Sequence, residues 1–380
     1  MTTGRRTPAF LTVTAVGLMF LVAIARGLSP FSEPDVWWHL RVGEQILDTH
    51  QIYGPDPWAR FAGGPYLATQ WLPEAVAAQA YRWAGLGAVP WLRTVSILLL
   101  AAVVYAAARR LSGRLPAALA TGVAILGASG SLNPRPQLVS FVLFAAVIGA
   151  WLRTAEDRRP RWWLVPLYWL WACCHGLWMF GILVGVVTAV CLVLQQPDHR
   201  RALAWRLAAV NVASAAAVAV TPLGPRLLLA PFTVANNAAS IADEWAATPL
   251  NNAFSITAVA AIIVTAVCWL LRPWPRPSWQ YAWLALSAAL TLAMWRLVPL
   301  GAILCAPLLA GALQSMLGAT RERVDRRERV GLLAGLGGGG ARRGAGLCGA
   351  GGHQGLRLPH GHGGDRPRAV DGATQERRHG

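Results

Sequence analysis

The sequence predicts an all-α polytopic bundle that crosses a membrane about ten times. Three observations carry this. The 380 residues are 55% hydrophobic and 13% charged, with a mean hydropathy of +0.42, about half the charged fraction of an ordinary soluble chain. The apolar residues come in long runs rather than in an alternating or heptad pattern. The basic residues fall in clusters between those runs.

The runs lie at about 9–28, 90–108, 115–131, 136–152, 162–175, 177–194, 204–220, 253–271, 280–294 and 297–313. The first follows Arg5 and Arg6 and ends on Ala23-Ile24-Ala25. That tripeptide would suit signal peptidase, but a run of this length reads better as an uncleaved first helix. Orientation comes from arginine, since the chain holds no lysine. Arg5/Arg6, Arg109/Arg110/Arg114, Arg153/Arg158/Arg159/Arg161, Arg200/Arg201/Arg206, Arg272/Arg276 and the cluster from Arg321 to Arg329 occupy alternate connections. With a cytoplasmic N-terminus, all six sets are inside, as the positive-inside rule requires. Both termini are then cytoplasmic and the expected location is the plasma membrane. The net charge of +17 is thus accounted for by topology, and no nucleic-acid partner is expected.

The run at 162–175 is short. At a rise of ~1.5 Å per residue it spans about 21 Å against a hydrocarbon core of about 30 Å. Such a helix is shielded by its neighbours or stops at a water-filled cavity, and its outer end carries His175. Two outer segments are long, at about 29–89 and 221–252. Within the first, the stretch from Trp71 to Leu86 reads as an amphipathic helix lying in the interface. Residues 1–320 form the membrane domain. From 321 the chain is basic and then Gly/Arg-rich, with 17 of its 38 glycines in 331–380. This tail cannot bury a core and is expected to be disordered. Its abrupt onset fits a frameshifted end or a genuine flexible tail. The six cysteines show no CxxC spacing, so buried thiols are expected rather than a disulfide or metal site.

The stretch most suggestive of chemistry is Ser32-Glu33-Pro34-Asp35-Val36-Trp37-Trp38-His39-Leu40, just after the first helix. Two carboxylates at i and i+2, stiffened by proline, can share a divalent cation through oxygen ligands, or one can act as a general base. They can equally be solvated loop acids. Trp37 and Trp38 suit stacking on a sugar or anchoring at the interface. Arg135 between two prolines is either a phosphate clamp or a turn cap. His175 contacts a phosphate or a neighbouring carbonyl, Arg296 binds substrate or snorkels, and Glu244 is a site acid or a loop acid. The Trp-rich segment 162–178 reads as membrane anchoring.

An acidic pair of this type in the first outer loop resembles the hallmark of GT-C glycosyltransferases. The run Asp35 to Glu44, then Pro55-Asp56-Pro57-Trp58 and Gln70-Trp71-Leu72-Pro73-Glu74, is similar to a bacterial GT-C-like membrane family. So are Arg135-Pro136-Gln137, the segment Trp171 to Gly176, Asp243-Glu244-Trp245 and the segment Arg296 to Leu300. Cys173 and Cys174 depart from that pattern, where an Asn and an apolar residue are more usual. The resemblance covers about residues 9–315. It implies a cell-envelope enzyme that moves a sugar from a polyprenyl-phosphate donor to a lipid, glycan or protein acceptor at the outer leaflet. Asp35 would be the base, assisted by Glu33, with Mg²⁺ or Mn²⁺ held between them. His39, Arg135, His175, Glu244, Arg296, Trp37 and Trp38 would bind substrate and phosphate. A transporter or flippase of lipid-linked precursors, or a non-catalytic membrane protein, are the alternatives. The transporter reading lacks an internal repeat. All these landmarks, with Asn236 and Asn237, map to one face of the predicted topology.

Overall fold

The computed structural model describes residues 8–56, 58, 65–196, 200–238, 243–318, 322 and 328. The tail at 331–380, read above as disordered, lies outside them. Every one of the ten apolar runs falls on a helix. These are α1 (Ala9–Leu28), α4 (Ala88–Ala108), α5 (Arg114–Ala128), α6 (Gln137–Asp157), α7 (Leu164–Cys174), α8 (Trp178–Leu194), α9 (Arg200–Ala219), α11 (Ala253–Leu271), α12 (Ser278–Ala293) and α13 (Val298–Leu317). Six of the ten runs lie in helical stretches long and apolar enough to cross a membrane. The other four fall on α5, α7, α8 and α12, of 15, 11, 17 and 16 residues. Length alone therefore establishes a multi-pass helical protein with six such spans, and not the figure of ten.

α13 is the most enclosed element, packed by α5, α11 and α12. Small residues allow this. A Cβ on Gly301 would sit 2.0 Å from Thr291 Oγ1 and 2.7 Å from the Ser287 carbonyl oxygen, so α12 and α13 touch backbone to backbone. Around this centre α1 packs on α4 and α5, α4 on α6, and α8 and α7 on α9. Two buried indoles inside the bundle are paired across helices. Trp171 Nε1 donates to Ser140 Oγ at 2.8 Å, and Trp283 Nε1 to Thr188 Oγ1 at 2.8 Å. Of the described cysteines, Cys173, Cys174, Cys268 and Cys305 are buried free thiols and Cys191 is half-buried. The segment 162–178 is mixed: Trp162, Trp163 and Trp169 are exposed, whereas Trp171 and Trp178 are core.

The two long segments at about 29–89 and 221–252 carry more helix than the sequence reading allowed. The first contains α2 (Asp35–Thr49) and α3 (Trp71–Ala84), linked through a two-residue antiparallel pair, β1 (Tyr53–Gly54) with β2 (Tyr66–Leu67). Pro34 precedes α2 and Asp35 opens it, where a negative charge meets the positive end of the helix dipole. His50 ends it in the left-handed region, its N–H bonded to the Ile46 carbonyl. α3 does not lie alone in an interface: its buried positions, Glu74 and Ala78, face α2. The second segment contains α10 (Arg226–Ala238) and a short turn at Asp243–Trp245.

Candidate functional site

The landmarks meet at one end of the bundle, where buried arginines tie the turns together. α4 begins there and carries Arg93, which is 2% exposed. Arg93 Nε donates to the Leu132 carbonyl at 2.7 Å and its Nη1 to the Ser29 carbonyl at 2.8 Å. Arg26, in the last turn of α1, donates to the Ser129 carbonyl at 2.9 Å. The turn after α1 and the turn before α6 are thereby fixed side by side. Their carbonyls would otherwise be unsatisfied helix ends.

This juxtaposition brings Glu33, Asp35 and Arg135 into contact. Arg135 Nη2 lies 2.7 Å from Glu33 Oε1 and 2.8 Å from Asp35 Oδ2, and Asn133 Nδ2 donates to Glu33 Oε2 at 2.9 Å. The other arm of Arg135 reaches Glu244 Oε2 at 3.2 Å. Glu244 accepts from Arg296 through its second oxygen, and Arg296 Nη2 stands 3.3 Å from His175 Nε2. The Arg296 guanidinium also lies over the Trp245 ring, 5.3 Å from its centroid. Six of the sequence-selected residues thus form one continuous polar chain from Asp35 to His175. Burial opposes the charge on Arg135, but its hydrogen bond to Glu33 and the fields of Asp35, Glu33 and Glu244 outweigh it and raise its pKa above the ordinary arginine value.

At the far end of this chain the hydrogen bonding is one-sided. The Leu177 N–H points at His175 Nδ1, 3.2 Å away, and Arg296 Nη2 stands 3.3 Å from Nε2. A neutral imidazole has one acceptor nitrogen, so the tautomer decides which of these two N–H groups it satisfies, and the other faces a ring N–H. His175 and Arg296 both line a cavity of about 280 Å³. Its wall is otherwise largely apolar and aromatic, including Trp178, Phe180, Phe232 and Trp245. The short helix α7 ends at this cavity. An acceptor in the cavity would satisfy the N–H that the ring leaves over.

His39 belongs to a different pairing. Its Nδ1 lies 2.8 Å from Oε1 of Glu74, a carboxylate that is only 2% exposed. The pairing depends on Gly43, one helical turn beyond His39. A Cβ there would sit 2.1 Å from the Glu74 carbonyl oxygen, so only glycine lets α2 lie this close to α3. Trp38 packs edge-on against Trp58 at 4.9 Å and Tyr66 at 6.3 Å. Trp37 is exposed and lines a shallow surface cleft with Phe31 and Leu86. Neither tryptophan joins the polar chain. The side chains of Asn236, Asn237 and Asp243 are outside the described set.

The donor set does not fit the divalent cation expected between Glu33 and Asp35. The Arg135 guanidinium already bridges the two carboxylates, and Asn133 takes the second Glu33 oxygen. Among the described residues no cluster of three or more His, Cys, Asp or Glu side chains is placed to hold a metal. Arg135 supplies at this point the positive charge that the sequence reading gave to a metal. Two residues were missed. Glu74 had appeared only within a sequence motif, although an acid on the Ala-rich face of a helix was a visible signal. Arg93 was hidden inside an apolar run.

No protein-family model matches the chain, and no curated protein does. Solved structures do. The crystal structure of the Archaeoglobus fulgidus oligosaccharyltransferase in its apo form superposes with a TM-score of 0.57 at 12% identity, over 86% of this chain and 54% of that one. The likeness is one of fold, over about half of that structure. The same oligosaccharyltransferase tethered to an acceptor peptide containing the NVT sequon matches with a TM-score of 0.51 at 13% identity, again over 86% and 54%. The chain therefore spans about half the length of the structures it resembles.

Proposed function

We propose that this protein is a membrane glycosyltransferase that moves a sugar from a polyprenyl-phosphate donor to an acceptor at the outer face of the plasma membrane. In this reading it crosses the membrane about ten times with both termini cytoplasmic. The single observation that carries the proposal is the Arg296 guanidinium beside His175 at the polar end of a largely apolar cavity. A phosphate ester on an apolar chain has the matching shape: oxygens for the N–H groups and a tail for the aromatic wall. The GT-C fold agrees with it.

The chemistry follows from charge. The acceptor hydroxyl oxygen forms a bond to the anomeric carbon, and the bond from that carbon to the phosphate oxygen breaks. The electron pair leaves with the phosphate, whose negative charge grows. Arg296 and His175 donate to that charge where it develops. Arg135, coupled to Arg296 through Glu244, holds the positive side of the site in register. Asp35 takes the acceptor's proton: it is half exposed, and its pairing with Arg135 engages one oxygen of the two. Glu33, bonded on both oxygens, positions Arg135. No step is routed through a metal.

The donor site is tested by binding. Wild-type protein should bind a polyprenyl phosphate without sugar, and Arg296→Ala should weaken binding about tenfold or more, the scale of one charge-assisted hydrogen bond. Equal affinity in the two proteins would remove the basis for the reading.

A further inference from the structure

The cavity beside Arg296 and His175 has two further polar side chains in its lining, Thr69 and Gln70. They lie in the link between β2 and α3, and Gln70 opens the Gln70-Trp71-Leu72-Pro73-Glu74 motif, for which the mechanism above has no use. The backbone of this link is pinned. Ala68, 1% exposed, donates its N–H to the Ile52 carbonyl at 3.0 Å. The Thr69 N–H reaches the Leu67 carbonyl at 2.8 Å, and the Gln70 carbonyl accepts from the Glu74 N–H at 3.3 Å.

The two side chains are not pinned. Among the described residues, neither the Thr69 hydroxyl nor the Gln70 amide has a hydrogen-bond partner. Neither is shut away: both residues are half-buried, and no polar side-chain atom of either is enclosed without a partner. Gln70 also occupies the N-cap position of α3 without capping it. Asparagine, aspartate or serine there would satisfy a free N–H of the first turn and stabilise the helix. A longer amide gives that up. A local rule broken with no compensating contact in the fold points to a role toward a ligand.

We propose that Thr69 and Gln70 bind the hydroxyl groups of the donor's sugar, and that this sugar is a neutral hexose. The inference rests on the donor reading above and extends it from the phosphate to the sugar. A primary amide offers an N–H and a carbonyl oxygen side by side, which matches two adjacent hydroxyls of a pyranose ring, since each hydroxyl both donates and accepts. The Thr69 hydroxyl can serve a third in either sense. Charge limits the class. Among the described residues lining the cavity, Arg296 is the one arginine and none is an acid. A uronic acid would bring a second anion to a cation that the phosphate already takes, and an amino sugar would bring an ammonium with no carboxylate to meet it. Neither Thr69 nor Gln70 takes a proton, so Asp35 remains the base.

The test is equilibrium binding to the full chain in nanodiscs, with no acceptor present. The probes are phosphodiesters of one polyprenyl chain: the methyl ester, the glucose, mannose and galactose esters, and the glucuronic acid ester. The methyl ester carries the same phosphate charge as the hexose esters and isolates tail and phosphate. Wild type should bind at least one hexose ester about tenfold more tightly than the methyl ester, the scale of one or two hydrogen bonds between neutral groups. The glucuronate should bind no more tightly than the methyl ester. Gln70→Leu keeps the bulk and removes the amide. It should bring the preferred hexose ester to within about twofold of the methyl ester, the low end for one such bond, and leave the affinity for the methyl ester as in wild type. Thr69→Val should narrow the preference in part. Equal affinity of wild type for the hexose and methyl esters overturns this inference and leaves the donor site standing. An undiminished preference in Gln70→Leu, or in Thr69→Val should Gln70→Leu fail to fold, does the same. So does a loss of methyl-ester binding in Gln70→Leu, which would make the residue structural. Tighter binding of the glucuronate than of every hexose ester overturns the neutral class. Binding of none of the five probes overturns the donor reading itself, and this inference with it.

Discussion

Replacing Glu244 with glutamine separates the two arginines of the site unequally. Arg135 keeps Glu33, which is 7% exposed, and Asp35. Arg296 keeps only the Trp245 face and the contact with the neutral His175 ring. A hydrogen bond to a charged group contributes about 1.5–3 kcal/mol, and partial exposure of Glu244 at 30% reduces this through solvent screening. We expect a loss of about 1.5–2 kcal/mol, nearly all of it from the Arg296 side. The measurement is a double-mutant cycle with Arg296→Gln, read by chemical denaturation in detergent. The double variant should be less destabilised than the two single variants summed, by about 1 kcal/mol or more. A control sits at the other end of the bundle, where Glu156, 48% exposed, pairs with Arg110. Glu156→Gln should cost less than about 0.5 kcal/mol. If Glu244→Gln is as mild as Glu156→Gln and the cycle is additive, the polar chain is a surface arrangement and not a built site.

Other outcomes follow from the packing. Gly43→Ala must move α2 off α3 by about 1 Å to relieve the contact with the Glu74 carbonyl, at about 1–3 kcal/mol. Hydrogen exchange should show the loosening confined to these two helices, and unchanged exchange would contradict the close approach. Truncation after residue 330 should leave stability unaltered, whereas truncation after Gly318 removes Glu328, which clasps Arg109 through two bonds of 2.6 and 3.1 Å and accepts from Tyr105 at 3.0 Å. Burial raises the Glu328 pKa, but the bonds and charges of Arg109, Arg114 and Tyr105 depress it overall. Its stabilisation is therefore present at neutral pH and is lost as pH falls below the ordinary glutamate value, about 4.3. The Gly318 truncation should lose that acid sensitivity, and a wild type with no such sensitivity would refute the assignment. For topology, a cysteine at Gly64, outside the described residues, should be labelled from the outer side, and one at Asp157 should not; the reverse pattern overturns the orientation.

What the sequence disclosed and what it hid have physical reasons. Apolar runs declare themselves because lipid demands them, so all ten fell on helices, and the alternation of arginines needed no coordinates to be seen. α2 was passed over because it is not an apolar run. Its signal is a stripe, Val36, Leu40, Gly43 and Ile46, buried on one face. α10 was hidden by the Pro231 inside it. The convergence of Glu33, Arg135, Glu244, Arg296 and His175 was suggested by topology, but which partners they choose was not. Arg135 occupying the supposed metal position is a matter of ångströms. Glu74 needed the fold: only the backbone contact at Gly43 reveals that this acid is buried against His39.

The central claim is sugar transfer with Asp35 as the base. Purified protein should be supplied with a panel of polyprenyl-phosphate sugars and with lipid, glycan and peptide acceptors, and transferred sugar counted for wild type and Asp35→Asn. Asparagine keeps the shape of the side chain and removes the proton acceptor, outside any membrane-spanning helix. The account predicts transfer by wild type and a fall of ~10²-fold or more in Asp35→Asn, the usual size of a general-base effect, with insertion and thermal stability preserved. Full transfer by Asp35→Asn would contradict the assignment of the base, and no transfer by wild type from any donor of the panel would contradict the function.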